Sequence, residues 1–169
     1  MSIAGLINAA SEEDARAMLM RCCGCRRWAA AVAARRPFAD DAALFAAADD
    51  EWSRASREEI LEALTHHPRI GANMDELRKK FASTAAWSAG EQASAASASE
   101  ETLVALRDGN VRFEERFGHI FVVCATGKSA SEMLALLEAR MSNDPETEIR
   151  AAAAEQGKIT RLRLEKLTA

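Results

Sequence analysis

One clear helical pattern in this chain is EETLVALRDGNVRFEERFG, residues 100–118. Its large apolar residues recur at helical spacing, at Leu103, Leu106, Phe113 and Phe117. Gly118 follows where a helix C-terminus favours left-handed backbone, which glycine adopts without strain. These features predict a long helix that ends at Gly118.

Local start signals predict further helices on both sides of this pattern. Ser56 and Ser129 each stand three residues before a glutamate, and this capping-box spacing marks a helix N-terminus. Ser11 precedes three acidic residues, which favour the first turn of a helix. Pro145 fits a first turn as well, because the N–H that proline lacks is not needed there.

The alanine and serine content of residues 83–99 would allow a flexible linker. We prefer a helix that contains Gly90, because long structureless loops are uncommon inside compact domains. A shorter helix is expected around residues 75–81. The whole pattern predicts an all-α protein of about eight helices in a single domain, residues 1–169, and the 5% aromatic content without tyrosine disfavours a β-sandwich or barrel.

Charge and composition disfavour several partners. The net charge is −4, with 22 basic and 26 acidic residues interspersed, so nucleic acid is not an expected partner. No window approaches the roughly 18 apolar residues that span a bilayer, and no membrane partner is expected. The N-terminus lacks the pattern of a secretory signal, and the C-terminus lacks the S-K-L type of peroxisomal address. We therefore expect a cytoplasmic protein.

Three of the four cysteines, Cys22, Cys23 and Cys25, are clustered, and Cys124 is isolated. The cluster lacks the paired C-x2-C spacing of a zinc site, and adjacent cysteines rarely form a disulfide with each other. We expect reduced thiols that bind no metal. A metal site of His66, His67, His119 and a carboxylate is a weaker alternative, because the spacing matches no common ligand pattern.

The segment IFVVCA, residues 120–125, is the only run that looks extended. A single strand cannot form a sheet, so we expect a buried segment whose backbone polar groups need partners. A bound ligand could supply some of those partners.

His67 is the strongest local candidate for chemistry. Pro68 disfavours helical backbone at the preceding residue, so a helix should end near His66 and leave His67 at a fixed turn. A position just beyond a helix C-terminus favours the imidazolium form, which could pair with an anionic substrate or donate a proton. The alternative is a polar residue that only caps the helix.

Two further polar groups are candidates for substrate contacts. Ser88, Glu91 and Gln92 would share one helix face, although a solvated surface face is the simpler interpretation. Arg161 and Arg163 should lie on different faces of the last helix, so one could turn inward as a carboxylate clamp while both could also be solvated.

Short motifs recur in a specific order from about residue 3 to residue 166. They are Arg36-Pro37-Phe38, Trp52, His66 to Gly71, Ser88 to Gln92, Phe117-Gly118, Phe121 to Ala125, Asn143-Asp144 with Glu148, and Lys158-Ile159 with Arg163-Leu164. In this order and spacing the chain resembles the OHCU decarboxylase family, whose substrate is 2-oxo-4-hydroxy-4-carboxy-5-ureidoimidazoline (OHCU). The resemblance implies an all-helical enzyme of purine breakdown that forms (S)-allantoin and uses no metal or organic cofactor. Members are often dimeric, so a homodimer is one expectation.

The resemblance also implies roles for individual residues. His67 would be the catalytic acid/base, and the adjacent Pro68 would bind the substrate. Glu91, with Ser88 and Gln92, would hold the ureido group and the polar ring atoms. The residues that would line or face the substrate are Phe121, Val122, Val123, Ala125 and Arg163.

The implied chemistry needs little machinery. The substrate's own C=N can accept the electrons released with CO2, so the enzyme must orient the carboxylate, stabilise an enol-like intermediate and deliver a proton to one face. Two alternatives stand beside it. The hydrolase that makes OHCU belongs to a β-rich fold, which the helical periodicity disfavours. A non-catalytic helical adaptor would show an exposed apolar stripe and would not need a fixed His67.

Overall fold

The computed structural model describes residues 1–69, 73–88 and 99–167, excluding the side chains of residues 82–88. Within these ranges the protein is all-helical, as predicted, with nine α-helices and no strand. In chain order the helices are α1 (Ile3–Ala9), α2 (Glu12–Cys22), α3 (Arg26–Ala34), α4 (Asp41–Ser53), α5 (Arg57–Thr65), α6 (Met74–Ser88), α7 (Glu100–Phe117), α8 (Ala130–Met141) and α9 (Pro145–Glu165).

Local capping signals determine most helix ends. Both capping boxes form, with the side chains of Ser56 and Ser129 accepting hydrogen bonds from the glutamate N–H groups three residues on. Helix α7 ends at Gly118, whose φ of 75° lies in the left-handed region, as predicted. These matches follow from short-range hydrogen bonds, which depend on a few adjacent residues.

Two helices differ from the sequence prediction. Helix α1 was not predicted, because IAGLINA has no charged residue and no acidic first turn to mark its start after Ser2. Helix α6 covers residues 74–88, where a helix over 75–81 was expected. The first part of the predicted helix over 83–99 is thus the end of α6. Gly90 lies outside the described residues.

The chain divides into two compact units. The terminal unit consists of Met1–His67 and Ala153–Ala169, and the central unit of Pro68–Ala152. The prediction of one domain stays a prediction. None of the helices that the structure describes is both long enough and apolar enough to cross a bilayer.

The terminal unit is built around Trp28, which is fully buried on α3. The indole N–H of Trp28 donates to the carbonyl of Ala48 on α4, at 2.9 Å, so this large side chain is buried without an unpaired donor. Small residues make up much of the same core, which allows the helices to pack closely. The buried alanines of this core include Ala15, Ala29, Ala33, Ala47 and Ala63.

The central unit is built around Phe113 on α7. Its ring packs edge-on against Phe121, with centroids 5.3 Å apart, a favourable aromatic geometry. Helix α8 packs on α7 with Leu137 against Gly109, where a Cβ would come within 3.0 Å of a leucine methyl. Glycine at this position therefore allows the close approach of α7 and α8.

Candidate functional site

His67 is held just beyond the C-terminal end of α5, as predicted. Its backbone N–H donates to the carbonyl of Leu64 at 3.3 Å, which fixes the residue on the end of the helix. The imidazole ring is half-buried, and its Nε2 is hydrogen-bonded to Oε1 of Gln156 on α9. All three residues belong to the terminal unit, so the ring has a fixed position within one compact body.

The environment of His67 favours its neutral form. Burial lowers the pKa of His67 from its ordinary value, and electrostatic interaction with the Arg163 guanidinium and the neighbouring His66 side chain lowers it further. The hydrogen bond to Gln156 acts in the opposite direction but does not reverse the shift. The expectation of an imidazolium at the helix end is therefore wrong, because desolvation and nearby positive charge outweigh the helix dipole.

Of the two arginines predicted on α9, Arg163 is the one that faces inward. Its Nη1 donates to the carbonyl of Cys22 at 3.4 Å, and its charge acts on His67. Arg161 instead lies over the ring of Phe45 and pairs with Glu165 at 3.1 Å, so the two arginines occupy different faces, as predicted. Within the residues described, no carboxylate lies within salt-bridge distance of Arg163, which leaves its charge uncompensated there.

Sequence reasoning missed Gln156 and Thr160. Both are buried, and Nε2 of Gln156 donates to Oγ1 of Thr160 at 3.0 Å. A signal for them exists in the sequence, because every fourth residue of α9 lies on one buried stripe and three of these five positions are polar or charged. Buried polar side chains need hydrogen-bond partners, so polar residues on a buried stripe indicate a specific polar contact at that position. The stripe consists of Glu148, Ala152, Gln156, Thr160 and Leu164.

The segment 120–125 lies in the central unit and is buried from Phe121 to Cys124, as predicted. The carbonyl of Val122 accepts from Nη1 of Arg140 at 2.6 Å, and the carbonyl of Cys124 accepts from Nζ of Lys128 at 2.8 Å. Side chains of the protein therefore satisfy the carbonyls of Val122 and Cys124. The sequence had suggested that a bound ligand could be the partner of such groups. The predicted contacts of this segment with substrate stay predictions.

The remaining site predictions are only partly covered by the structure. Pro68 is exposed and begins the central unit. Ser88 is the last residue of α6, but its side chain, together with Glu91 and Gln92, lies outside the described residues. Across the ranges that are described, no group of three or more histidine, cysteine or acidic side chains is arranged to hold a metal ion.

The clustered cysteines are free and buried, as predicted. Burial raises the pKa of Cys22 to about 11 and that of Cys23 to about 12, and it also raises the pKa of Cys25. A thiol that stays protonated is a poor nucleophile and a poor metal ligand. These side chains therefore act mainly as packing residues in the terminal unit, and Cys23 also contacts the Thr160 hydroxyl.

Gly24 lies where the α2–α3 connection passes His66. A Cβ at Gly24 would lie 2.3 Å from Cγ and 2.6 Å from Cβ of His66, so an alanine cannot fit unless the chain next to His67 shifts. We expect Gly24→Ala to lower the free energy of unfolding by roughly 1–3 kcal/mol, the usual cost of overpacking. Urea denaturation followed by circular dichroism measures this change.

Gly157→Ala is the matched control for that substitution. A Cβ at Gly157 would lie 3.4 Å from Cδ1 of Trp52, an ordinary van der Waals contact, and the residue is inside α9. Alanine favours the helix over glycine by about 0.5–1 kcal/mol, so this variant should be as stable as the parent or more stable. Equal effects of the two substitutions would show that His66 does not limit the space at Gly24.

Comparisons with known proteins identify the family of this chain. A model of the family described as OHCU decarboxylase matches residues 8–165. The chain belongs to this family. The predicted family is thus confirmed.

Members of the family resemble the chain in sequence and in structure. The uric acid degradation bifunctional protein TTL of Arabidopsis thaliana is 36% identical over 148 residues, which are 86% of this chain and 45% of that protein. The chain therefore spans less than half the length of this relative. An OHCU decarboxylase of Haloferax volcanii is 32% identical over 76% of this chain and 73% of its own length.

A solved structure extends the likeness to the fold. The crystal structure of an OHCU decarboxylase in the presence of (S)-allantoin aligns with a TM-score of 0.72 and 32% identity, over 94% of this chain and 98% of that chain. The all-α fold class is confirmed by this match. The comparisons also agree with the predicted class of enzyme, a decarboxylase of urate degradation.

Proposed function

We propose that this chain converts OHCU to (S)-allantoin and CO2, with His67 as the residue that transfers the proton. The observation that carries the proposal is a half-buried imidazole that Gln156 holds in one position and whose pKa burial lowers, which favours the neutral form. A neutral histidine near physiological pH can both accept and return a proton. The charge of Arg163 favours an anionic substrate in this neighbourhood.

The reaction balances without an oxidant or a reductant. The bond between the ring carbon and the carboxylate breaks, and its electron pair passes to the adjacent C=N, whose nitrogen takes up one proton. The resulting enol transfers its hydroxyl proton to neutral His67, which returns a proton to the neighbouring ring carbon. Return to one face only gives the S product, and one proton is consumed overall for each CO2 released.

Further roles are proposed for the residues that the family resemblance singles out. Glu91, with Ser88 and Gln92, would bind the ureido group and the polar ring atoms. Pro68 and the segment from Phe121 to Ala125 would contact the ring, and Arg163 the polar edge of the substrate. The burial of residues 121–124 supports the proposed contact of this segment with the substrate ring. A rigid, packed surface orients a small ring better than a mobile one.

The test generates OHCU in place, because this compound decays spontaneously to racemic allantoin. Urate is converted with urate oxidase and the hydrolase, this protein is added, and OHCU loss is followed with the circular dichroism of the product. Faster loss with accumulation of (S)-allantoin, also in the presence of a chelator, is the expected result. Unchanged loss and racemic product from a folded sample would contradict the proposal and favour the adaptor.

The adaptor alternative predicted an exposed apolar stripe. Among the described residues, the exposed large apolar side chains are Met1, Val111 on α7 and Leu136 on α8. Isolated residues of this kind are normal on protein surfaces and need no partner. The decarboxylase is therefore the function that the structure supports best.

The pH dependence of kcat/KM follows from the pKa of His67. Because burial lowers this pKa, neutral His67 persists below the ordinary histidine value of about 6.5, and protonation removes the base only at lower pH. We expect kcat/KM to be constant from neutral pH down past about 6.5 and to fall at more acidic pH. A midpoint at or above 6.5, after subtraction of the spontaneous decay, would contradict a neutral base.

Three further properties are proposed on the family resemblance. We propose a homodimer, a single cooperatively folding domain over residues 1–169 and a cytoplasmic location. Light scattering should give twice the chain mass of 18.3 kDa, and urea unfolding should show one transition with coincident spectroscopic probes. Cell fractionation tests the location.

A further inference from the structure

The imidazole of His67 is the first member of a buried hydrogen-bonded chain in the terminal unit. Nε2 of His67 meets Oε1 of Gln156, and Nε2 of Gln156 donates to Oγ1 of Thr160 at 3.0 Å. The hydroxyl of Thr160 in turn contacts the thiol of Cys23. Gln156 is fully buried and Thr160 nearly so, with 0% and 5% of their surfaces exposed.

The direction of this chain determines which ring nitrogen of His67 carries the proton. In the structure the amide nitrogen of Gln156 donates to Oγ1 of Thr160, and the amide oxygen of Gln156 lies against Nε2 of His67. A carbonyl oxygen can only accept, so Nε2 of the neutral imidazole must be the protonated nitrogen. Nδ1 is then the nitrogen with the free lone pair.

We propose that Gln156 is a positioning residue that holds neutral His67 in its Nε2–H tautomer, so that Nδ1 is the atom that accepts and returns the substrate proton. Thr160 fixes the amide of Gln156, and Cys23 completes the chain as a protonated thiol. This inference rests on the proposed role of His67 and deepens it by naming the reacting nitrogen and the residues that select it.

Energetics favour the selection. A histidine in water populates both tautomers, whereas a buried amide that lost its partner would incur the full desolvation cost of an unpaired polar group. The buried side-chain nitrogen and oxygen atoms among the described residues all have hydrogen-bond partners. The amide of Gln156 therefore has its partners in the orientation that the structure shows. Reversing the tautomer would require the amide of Gln156 to rotate, with a simultaneous change at Thr160.

The direct test is the tautomer itself, measured by ring ¹⁵N chemical shifts of His67 in the full-length protein at neutral pH. The chain has three histidines, so His66→Gln and His119→Asn variants assign the His67 signals by elimination. The parent should show a protonated Nε2 and an unprotonated Nδ1. A protonated Nδ1, or averaged shifts of a mixture, would overturn the inference even if the protein decarboxylates OHCU.

Two substitutions at Gln156 separate positioning from packing. Gln156→Met keeps the length of the side chain but removes the acceptor, and we expect averaged tautomer shifts and a kcat lower by about 10- to 100-fold. Gln156→Glu keeps an acceptor of the same shape, so the Nε2–H tautomer should persist, and its negative charge should move the acid limb of kcat/KM to higher pH. A role in packing alone would change neither the tautomer nor the pH profile.

Lys158→Met is the matched control on the same helix, because this side chain is 62% exposed and pairs with Glu155 at 3.0 Å. It should leave the ¹⁵N shifts and kcat unchanged.

Retained tautomer and retained kcat in a folded Gln156→Met variant would overturn the inference. If Gln156→Met does not fold, Thr160→Val gives the same test. Without the Thr160 hydroxyl the amide of Gln156 can rotate, so both tautomers of His67 should be populated. A parent with the Nε2–H tautomer but without decarboxylase activity would contradict the proposed function alone.

Discussion

His67→Asn is expected to lower kcat for OHCU by about 10²- to 10⁴-fold, the usual range for loss of general acid–base catalysis. Asparagine keeps a polar side chain, but it does not accept a proton near neutral pH. The product formed in its presence should approach the racemate, because spontaneous decay then competes. The coupled assay with circular dichroism of allantoin measures both effects.

His66→Asn is the control for this substitution. His66 is the neighbouring, exposed residue and the C-cap of α5, a position where asparagine is well tolerated. This variant should keep most of the activity and the S product. If His67→Asn retained full turnover while folded, His67 would have no part in proton transfer.

Glu148→Ala is expected to lower the free energy of unfolding by about 3–5 kcal/mol, because it leaves a buried charge without its partner. Glu148 is fully buried. Its carboxylate accepts hydrogen bonds from Nε of Arg140 and from Nδ2 of Asn143, each at 3.1 Å. Only 11% of the Arg140 side chain is exposed, so water cannot replace the lost carboxylate. Urea denaturation followed by circular dichroism measures the change.

Glu146→Ala is the matched control, two residues earlier on the same helix. Its side chain is 63% exposed and pairs with Arg150 one turn on, at 3.0 Å. Surface pairs of this kind contribute below about 1 kcal/mol. Equal losses for the two alanine variants would show that the Arg140–Glu148 pair does not stabilise the central unit.

The ion pair also links stability to the predicted substrate-contacting segment. Arg140 donates to the carbonyl of Val122 and lies over the ring of Phe121, with 4.7 Å from guanidinium carbon to ring centroid. Loss of Glu148 therefore frees the arginine that fixes residues 121 and 122. We expect the Glu148→Ala variant to lose activity at temperatures where it is still largely folded.

The helix ends were predictable because they depend on neighbours in sequence. A serine three residues before a glutamate determines the start of α5 and of α8, and Gly118 determines the end of α7. Helix α1 lacked such a signal, and tertiary packing of Ile7 in the terminal core accounts for it instead.

The environment of the site was less predictable because it depends on residues far apart in the chain. The location of His67 follows from Pro68, but its protonation depends on burial and on Arg163, neither of which is visible near position 67. The partner of His67 is Gln156, on the last helix, whose start near Pro145 was predicted but whose buried polar positions were not. Glu91, Ser88 and Gln92 owe their proposed roles to the family resemblance.

The rate at which a reagent labels the buried thiols measures how often the folded protein opens. Only the thiolate reacts readily with maleimides, and the raised pKa values of Cys22 and Cys23 keep both protonated at neutral pH. A maleimide can therefore tag these sulfurs only in molecules that have transiently opened. Three cysteines belong to the terminal unit and Cys124 to the central unit, so the tagging rates read by peptide mass spectrometry give a separate opening rate for each unit.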